Sequence, residues 1–380
     1  MRILELTDYS AGGCGVFARA IEESRLLAKK GHEVIIFSSN RVKGSREIAK
    51  SEDVLNGVKI NRFPALKLGG ESFMFWFGKR ARNQALAFKP DVIIAHSYRH
   101  PHTTKALKLR KRLGCKVFLV THAPFERSET RTLLSKLSVT LYDKFIGKRT
   151  LNKFDKVIVI TKWEIPYLKK LHVPEEKIEY IPNGIREQFF TYKKSNEINK
   201  IIYTGRISPI KQIESLIQAI PYINDKKVIV EIFGPAEKDY LEKLKKIIKD
   251  KKLQNRFVIT NKTYLIDEQI RKLDEARIFV LPSKTEGMPQ ALIEAMARGK
   301  IVLASDNLGS RDLIKDGRNG FIFKNGNAKD LADKINLVLK MSESKIDKIK
   351  KEARKSVEKF SWNRIINKLE NIINNTNKRL

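Results

Sequence analysis

Glu286 and Glu294 bracket the run Glu286-Gly287-Met288-Pro289-Gln290-Ala291-Leu292-Ile293-Glu294, which follows an apolar stretch, Ile278–Leu281, and Pro282-Ser283. A strand ending there leaves Glu286 in a loop at its C-terminal edge, ahead of a helix predicted over Pro289–Arg298. Proline suits the first helical position, where its missing N–H has no partner to lose. The helix start offers unpaired N–H groups and a partial positive charge, which suit a phosphate or sugar oxygens. Glu294 lies about one and a half turns further in. The two carboxylates therefore work at different heights, one suited to sugar hydroxyls and one to a ribose diol.

A second group is Tyr203-Thr204-Gly205-Arg206-Ile207-Ser208-Pro209-Ile210-Lys211. A strand delivers Gly205, and Arg206 and Lys211 flank the turn into another helix. Two fixed cations beside a helix start suit a diphosphate, both while it is bound and as it leaves. The plain alternative is two solvated cations in a chain with 76 Lys+Arg, and it weakens once Glu286 and Glu294 are counted with them.

Three further patterns need weighing. Gly13-Cys14-Gly15-Val16-Phe17-Ala18 fits the dinucleotide fingerprint G-x-G-x-x-A after a strand, the basis of an alternative NADP-dependent oxidoreductase reading. That reading wants an acid at the end of the second strand, and Phe37-Ser38-Ser39-Asn40-Arg41 supplies only Arg41, suited at best to a 2′-phosphate. His96, His100 and His102 lie close in sequence, but zinc wants convergent ligands with supporting carboxylates. None stands nearby in sequence, so no metal is expected, and His96, Tyr98 and His100 are read as polar residues on an acceptor side. Phe73-Met74-Phe75-Trp76-Phe77, followed by Lys79, Arg80 and Arg82, suits either a lipid–water boundary or a core helix with a basic outer face.

The elements that must position these residues alternate. Strands are predicted at Ile3–Thr7, Glu33–Ser38, Val92–Ala95, Lys116–Thr121 and Lys156–Thr161, with helices at Val16–Lys30, Thr103–Leu113 and Ile165–Leu171. After the turn signal Ile181-Pro182-Asn183-Gly184 the pattern restarts. Strands follow at Lys200–Thr204, Lys227–Phe233, Arg256–Thr260, Ile278–Leu281 and Ile301–Ser305, with helices at Ile210–Tyr222, Asp239–Lys252, Asp267–Ala276 and Pro289–Arg298. Such alternation predicts α/β architecture, two doubly wound parallel-sheet (Rossmann-like) domains facing across a cleft. They cover residues 1–182 and 183–361. In such folds ligands bind beyond the C-terminal strand edges.

Composition bounds the rest. The 380 residues suffice for two domains, and two cysteines, Cys14 and Cys115, are too few for a disulfide framework. No run approaches the ~20 apolar residues of a spanning helix, and no signal-peptide pattern is read, so a cytoplasmic location is expected. The net charge of +33 is spread evenly, +17 in residues 1–182 and +16 in the remainder. That spread points to compositional bias and not to a nucleic-acid site, and nucleic acid is not expected as a partner. Local clusters such as Lys144/Lys148/Arg149/Lys153 keep an anionic membrane surface as a candidate partner, with peripheral attachment on the cytoplasmic face.

Arg206 with Lys211, and Glu286 with Glu294, closely resemble the retaining glycosyltransferases of family 4, which have the GT-B architecture and include phosphatidylinositol mannosyltransferases. Gly12-Gly13, Thr121-His122-Ala123-Pro124, Thr161-Lys162, Ile181-Pro182-Asn183-Gly184, Phe233-Gly234-Pro235-Ala236 and Ser361-Trp362 extend the likeness nearly end to end. The resemblance implies transfer of a hexose, with retention, from a nucleotide diphosphate sugar (GDP-mannose or a UDP-hexose) to a glycan or lipid-linked acceptor. It implies no metal or other cofactor. Arg206 and Lys211 would hold the pyrophosphate and Glu294 the ribose. Glu286 would grip the donor sugar with backbone N–H groups of Gly287, Met288 and Gln290. Gly13 would allow close backbone approach, and His122 would meet the sugar's distal hydroxyl or the acceptor. A terminal helix, about 362–380, would pack back on the N-terminal acceptor-binding domain. Asn261 departs from the pattern, standing where many relatives carry glycine, which leaves nucleobase contacts there open.

Overall fold

The computed structural model describes residues 1–68, 74–125, 133–191 and 197–377. The chain forms two compact units, residues 1–183 with 364–380, and residues 184–363.

The first unit is built on β1 (Arg2–Leu6), β2 (Glu33–Ser39), β3 (Glu52–Leu55), β4 (Val58–Phe63), β5 (Val92–His96), β6 (Lys116–Val120), β7 (Lys156–Val159) and β8 (Ile178–Tyr180). Among the described residues they make one sheet in the order β8-β7-β6-β5-β1-β2-β4-β3, parallel except for the β3–β4 pair. Central strands such as Val92–His96 are wholly buried, as expected of a sheet covered on both faces. Helix Pro101–Leu113 shows how local chemistry sets the ends. Pro101 stands in its first turn and Gly114 closes it in the left-handed conformation, φ 69°. Helix Gly15–Lys29 buries Phe17, Ile21 and Leu27, but also Arg19 and Glu23, an unusual content for a core face.

The second unit holds β9 (Ile198–Thr204), β10 (Ile229–Phe233), β11 (Phe257–Thr260), β12 (Ala276–Leu281), β13 (Ile301–Ser305) and β14 (Phe321–Phe323). Their order is β11-β10-β9-β12-β13-β14, and the pairs are parallel. This is the doubly wound order, in which the strand sequence reverses between β9 and β12. Helix Gln290–Ala297 anchors that point by burying Leu292, Ile293 and Met296 completely, each contributing ~1.5–3 kcal/mol. Between the loops after β9 and β10, Gly234 (φ 148°) lies so close to the Gly205 carbonyl that a Cβ would collide with it. Glycine is required there.

Several expectations are corrected. The helix predicted over Ile210–Tyr222 is split. Pro209–Lys211 is a 3-10 turn, Gln212 adopts a left-handed conformation (φ 44°), and the α-helix runs only over Ile213–Ala219. Pro289, with ψ 105°, caps its helix from outside instead of occupying the first helical position. Strands β3 and β4 were not foreseen. Met74, Trp76 and Phe77 are buried, so the aromatic run serves the core, with only Phe75 exposed; Phe73 lies outside the described residues. From Arg364 the terminal helix Trp362–Asn377 belongs to the first unit, where Glu370 pairs with Lys30 at 2.7 Å and His32 at 3.1 Å.

Candidate functional site

In the second unit, the loops after β9 and β12 come together at the reversal point. The backbone N–H of Lys284 donates to the Ile210 carbonyl at 2.9 Å, tying the two loops. Asn307 Nδ2 donates to the Ser283 carbonyl at 3.0 Å and steadies the turn from beneath. Lys211 Nζ then reaches Glu286 Oε1 at 2.5 Å, with both side chains partly accessible. A cation and a carboxylate separated by 75 residues are each other's counter-ion. Arg206 is exposed close by, its carbonyl accepting from the Tyr203 hydroxyl at 2.8 Å.

Gly287 and Met288 lead into helix Gln290–Ala297, and Gly309 packs against the carbonyls of Glu286 and Gly287, where any side chain would clash. Glu294 accepts from Gln290 Nε2 and Gln269 Nε2, each at 3.0 Å. Burial pushes its carboxyl up to about 7 despite those donors. Gln290 therefore serves Glu294, and also the Gly184 carbonyl at 2.9 Å, through its side chain. Asn261 Oδ1 accepts from the Ala236 N–H at 2.8 Å, so the departure noted above holds the Phe233–Ala236 loop.

In the first unit, the reversal lies between β1 and β5, and the loops after β1, β5 and β6 gather there. They enclose a cavity of about 240 Å³ lined by Asp8, Lys43, Tyr98, Arg99, His100 and His122, among others. Gly13 is exposed in the loop after β1, whereas the positive φ (80°) falls on Gly12, packed against the Lys43 backbone. That loop, residues 7–14, is longer than the tight turn a dinucleotide fold uses, and the Arg41 guanidinium donates to the Ala65 carbonyl at 3.2 Å. Neither feature favours the oxidoreductase alternative.

His96 does not line an acceptor surface. It is fully buried behind His122, with Nδ1 2.9 Å from His122 Nε2 and Nε2 2.5 Å from Glu5 Oε2. Burial pushes His96 down to about 3 and His122 down as well, and pushes Glu5 well above the usual carboxyl range. Both rings are thus neutral. When Glu5 holds its proton, donation runs from Glu5 through His96 to His122, leaving His122 Nδ1 as that ring's remaining polar atom. Tyr98 is buried as well; its hydroxyl donates to Asp143 Oδ1 at 3.0 Å, and burial raises its pKa. Ser97, Arg99, His122 and Ala123 all have positive φ, between 56° and 75°. Such clustering of strained backbone accompanies functional sites.

The expectation that no carboxylate stands near the histidines is corrected. Asp8 Oδ2 lies 2.6 Å from His100 Nδ1, and Asp8 Oδ1 lies 3.2 Å from His102 Nδ1. Parallel pairing of β1 with β5 brings the two loops together across ninety residues of sequence. Sequence reasoning also missed Glu164. It accepts from the N–H groups of Ala123 (2.9 Å), Ile160 (2.9 Å) and Thr161 (3.1 Å) and joins the loops after β6 and β7. The signal was present in Glu5, an acid inside an apolar strand, and in Asp8 directly behind it.

Known proteins match this arrangement. The model for "Glycosyltransferase Family 4" matches residues 13–189, and that for "Glycosyl transferases group 1" matches residues 184–356. The chain is a GT-B glycosyltransferase of the family 4 type. It is 30% identical over 227 residues to a poly(ribitol-phosphate) alpha-N-acetylglucosaminyltransferase of Staphylococcus aureus, covering 59% of this chain and 44% of that one, so it spans less than half of that relative. An uncharacterised glycosyltransferase of Methanocaldococcus jannaschii is 25% identical over 372 residues, 91% of each. Among solved structures, Anabaena HepE in complex with UDP and glucose superposes with a TM-score of 0.75 at 17% identity, covering 99% of this chain and 100% of that one.

Proposed function

We propose that the protein transfers a hexose or N-acetylhexosamine unit from a UDP-sugar to a glycan or lipid-linked acceptor, retaining the anomeric configuration, with no metal at the diphosphate. The observation that carries this is the Lys211–Glu286 pair at the reversal point of the second unit, beside the start of helix Gln290–Ala297. In this reading the donor parts the pair. Lys211 and Arg206 take the diphosphate, and Glu286 turns to the sugar hydroxyls. Glu294 takes the ribose diol, and His122 meets the sugar or the acceptor. The C1–O bond to the diphosphate breaks as the acceptor oxygen bonds C1 on the same face, and the acceptor proton passes to the departing phosphate oxygen.

A uridine donor is favoured over GDP-mannose by the UDP in the HepE structure. An acceptor bearing phosphates is favoured by the polyol-phosphate named for the S. aureus relative. A lipid-linked acceptor draws on a separate observation. Leu133, Leu134, Leu137, Leu141, Phe145 and Ile146 are all exposed, with Lys144, Lys148 and Arg149 close in sequence. Among the described residues no helix is long and apolar enough to cross a membrane, so contact would be at the surface.

The test is thermal unfolding with UDP, GDP, ADP and NADPH, each with and without EDTA. UDP is expected to stabilise the chain most, undiminished by EDTA. Stabilisation by NADPH alone, or by a nucleoside diphosphate only in the presence of a divalent ion, would overturn the proposal.

A further inference from the structure

In the first unit, Asp8, His100 and His102 converge: each offers one ligand atom within 4.8 Å of those of the other two. Asp8 and His102 are buried, 6% and 1% exposed, and His100 is partly open. Although the atoms approach to 2.6 and 3.2 Å, Asp8 Oδ1, His100 Nδ1 and His102 Nδ1 make no geometrically sound hydrogen bond.

The other face of His102 explains why. Its Nε2 lies 2.7 Å from the His96 carbonyl oxygen, an acceptor only, so Nε2 carries the ring proton. A neutral His102 then turns a lone pair on Nδ1 toward carboxylate lone pairs at 3.2 Å. Something positive must lie between them, either a second proton on the ring or a cation. Tetrahedral ligand atoms ~2.0–2.1 Å from zinc stand roughly 3.3 Å apart; the 3.2 Å between Asp8 and His102 matches this, and the 2.6 Å between Asp8 and His100 would open on binding. A ligating imidazole usually gives its other N–H to a carbonyl or carboxylate, which fixes the ring, and His102 does so. The Trp76 ring packs on His102, centroids 5.3 Å apart, and shields the group on one side.

We infer that Asp8, His100 and His102 bind a divalent cation of the zinc class through one carboxylate and two Nδ1 atoms. Three protein ligands leave a position open, as in catalytic and not structural zinc sites. Asp8 and His100 both line the 240 Å³ cavity that His122 also lines, so the open position faces it and suits an acceptor oxygen.

The experiment titrates Co2+ into protein stripped with EDTA and returned to chelator-free buffer, read by visible absorption, followed by Zn2+ competition. One equivalent of Co2+ is expected with a low-symmetry d–d band, displaced by Zn2+, which stands above cobalt in affinity. His100→Ala, partly exposed and so able to fold, and Asp8→Asn should each weaken binding by at least about tenfold. His32→Ala, in a different pair with Glu370, should bind as the wild type does. Absence of the band, or unchanged binding in His100→Ala, would overturn the inference and assign the second proton to His102. UDP stabilisation, measured on the same samples, involves none of these residues and reports separately on the proposed function.

Discussion

Lys211→Ala separates binding from folding. The Lys211–Glu286 side chains are 19% and 11% exposed, and such a part-solvated pair contributes on the order of 0–1 kcal/mol to stability. Its loss should shift the melting temperature by only a few degrees, about 2–4 °C per kcal/mol for a unit of this size. A charge-assisted hydrogen bond to a phosphate is worth more, about 1.5–3 kcal/mol, equivalent to roughly ten- to hundredfold in affinity. Removing Lys211 also leaves Glu286 unpaired beside an incoming anion, which adds to the loss. Calorimetric titration of UDP into wild type, Lys211→Ala and Lys211→Arg should show that large loss for alanine and partial recovery for arginine. Equal UDP affinity in wild type and Lys211→Ala would refute the reasoning. A melting temperature that fell as far as the affinity would make Lys211 a structural residue.

Further outcomes can be checked alongside. Glu294, held up to about 7 by burial, is favoured in its protonated form within the fold. Its contribution to stability is therefore fully present below the ordinary carboxyl value of 4.5, falls across the mildly acidic range and is lost as pH rises through about 7. UDP affinity should move the opposite way, because an ionised carboxylate accepts better from a diol, and both trends should vanish in Glu294→Gln on parallel melts and titrations. His122→Ala should lower turnover by ~10²-fold or more at unchanged UDP affinity, and Glu5→Gln should lower it less while shifting the pH–rate profile; a flat response in both would remove the relay. Gly234→Ala should destabilise by ~1–3 kcal/mol through collision with the Gly205 carbonyl, read by urea unfolding. Leu137→Glu with Leu141→Glu, both on helix Leu133–Tyr142, should abolish pelleting with anionic vesicles if that helix seats on lipid; unchanged pelleting would move the contact elsewhere.

The alternating architecture was legible because its strands are buried on both faces and so read as continuous apolar runs. Lys211 and Glu286 were legible too, since each follows such a run at a turn into a helix. The break at Gln212 was not, because nothing in a glutamine announces a left-handed backbone. Strand β4, Val58-Lys59-Ile60-Asn61-Arg62-Phe63, hid behind polar residues that the fold buries, with the Arg62 guanidinium 2.7 Å from Ser10 Oγ. The pairing of Asp8 with His100 and His102 is a product of strand order, which periodicity does not report. His96 was misassigned to the acceptor side for the same reason: its neighbours Glu5 and His122 come from two other strands' ends.

A carboxyl group inside β1 has a bearing on how the first unit behaves as a folded body. Glu5 is wholly enclosed and near Arg19, and its neighbour Glu23 is likewise raised by burial. An apolar residue at that place would pack with less penalty. The unit thus gives up some resistance to unfolding as pH rises above the ordinary carboxyl range, in order to hold one imidazole in a single tautomer and heading. Replacing Glu5 by leucine should make the protein hardier and a poorer catalyst, the usual direction of exchange between robustness and a prearranged site.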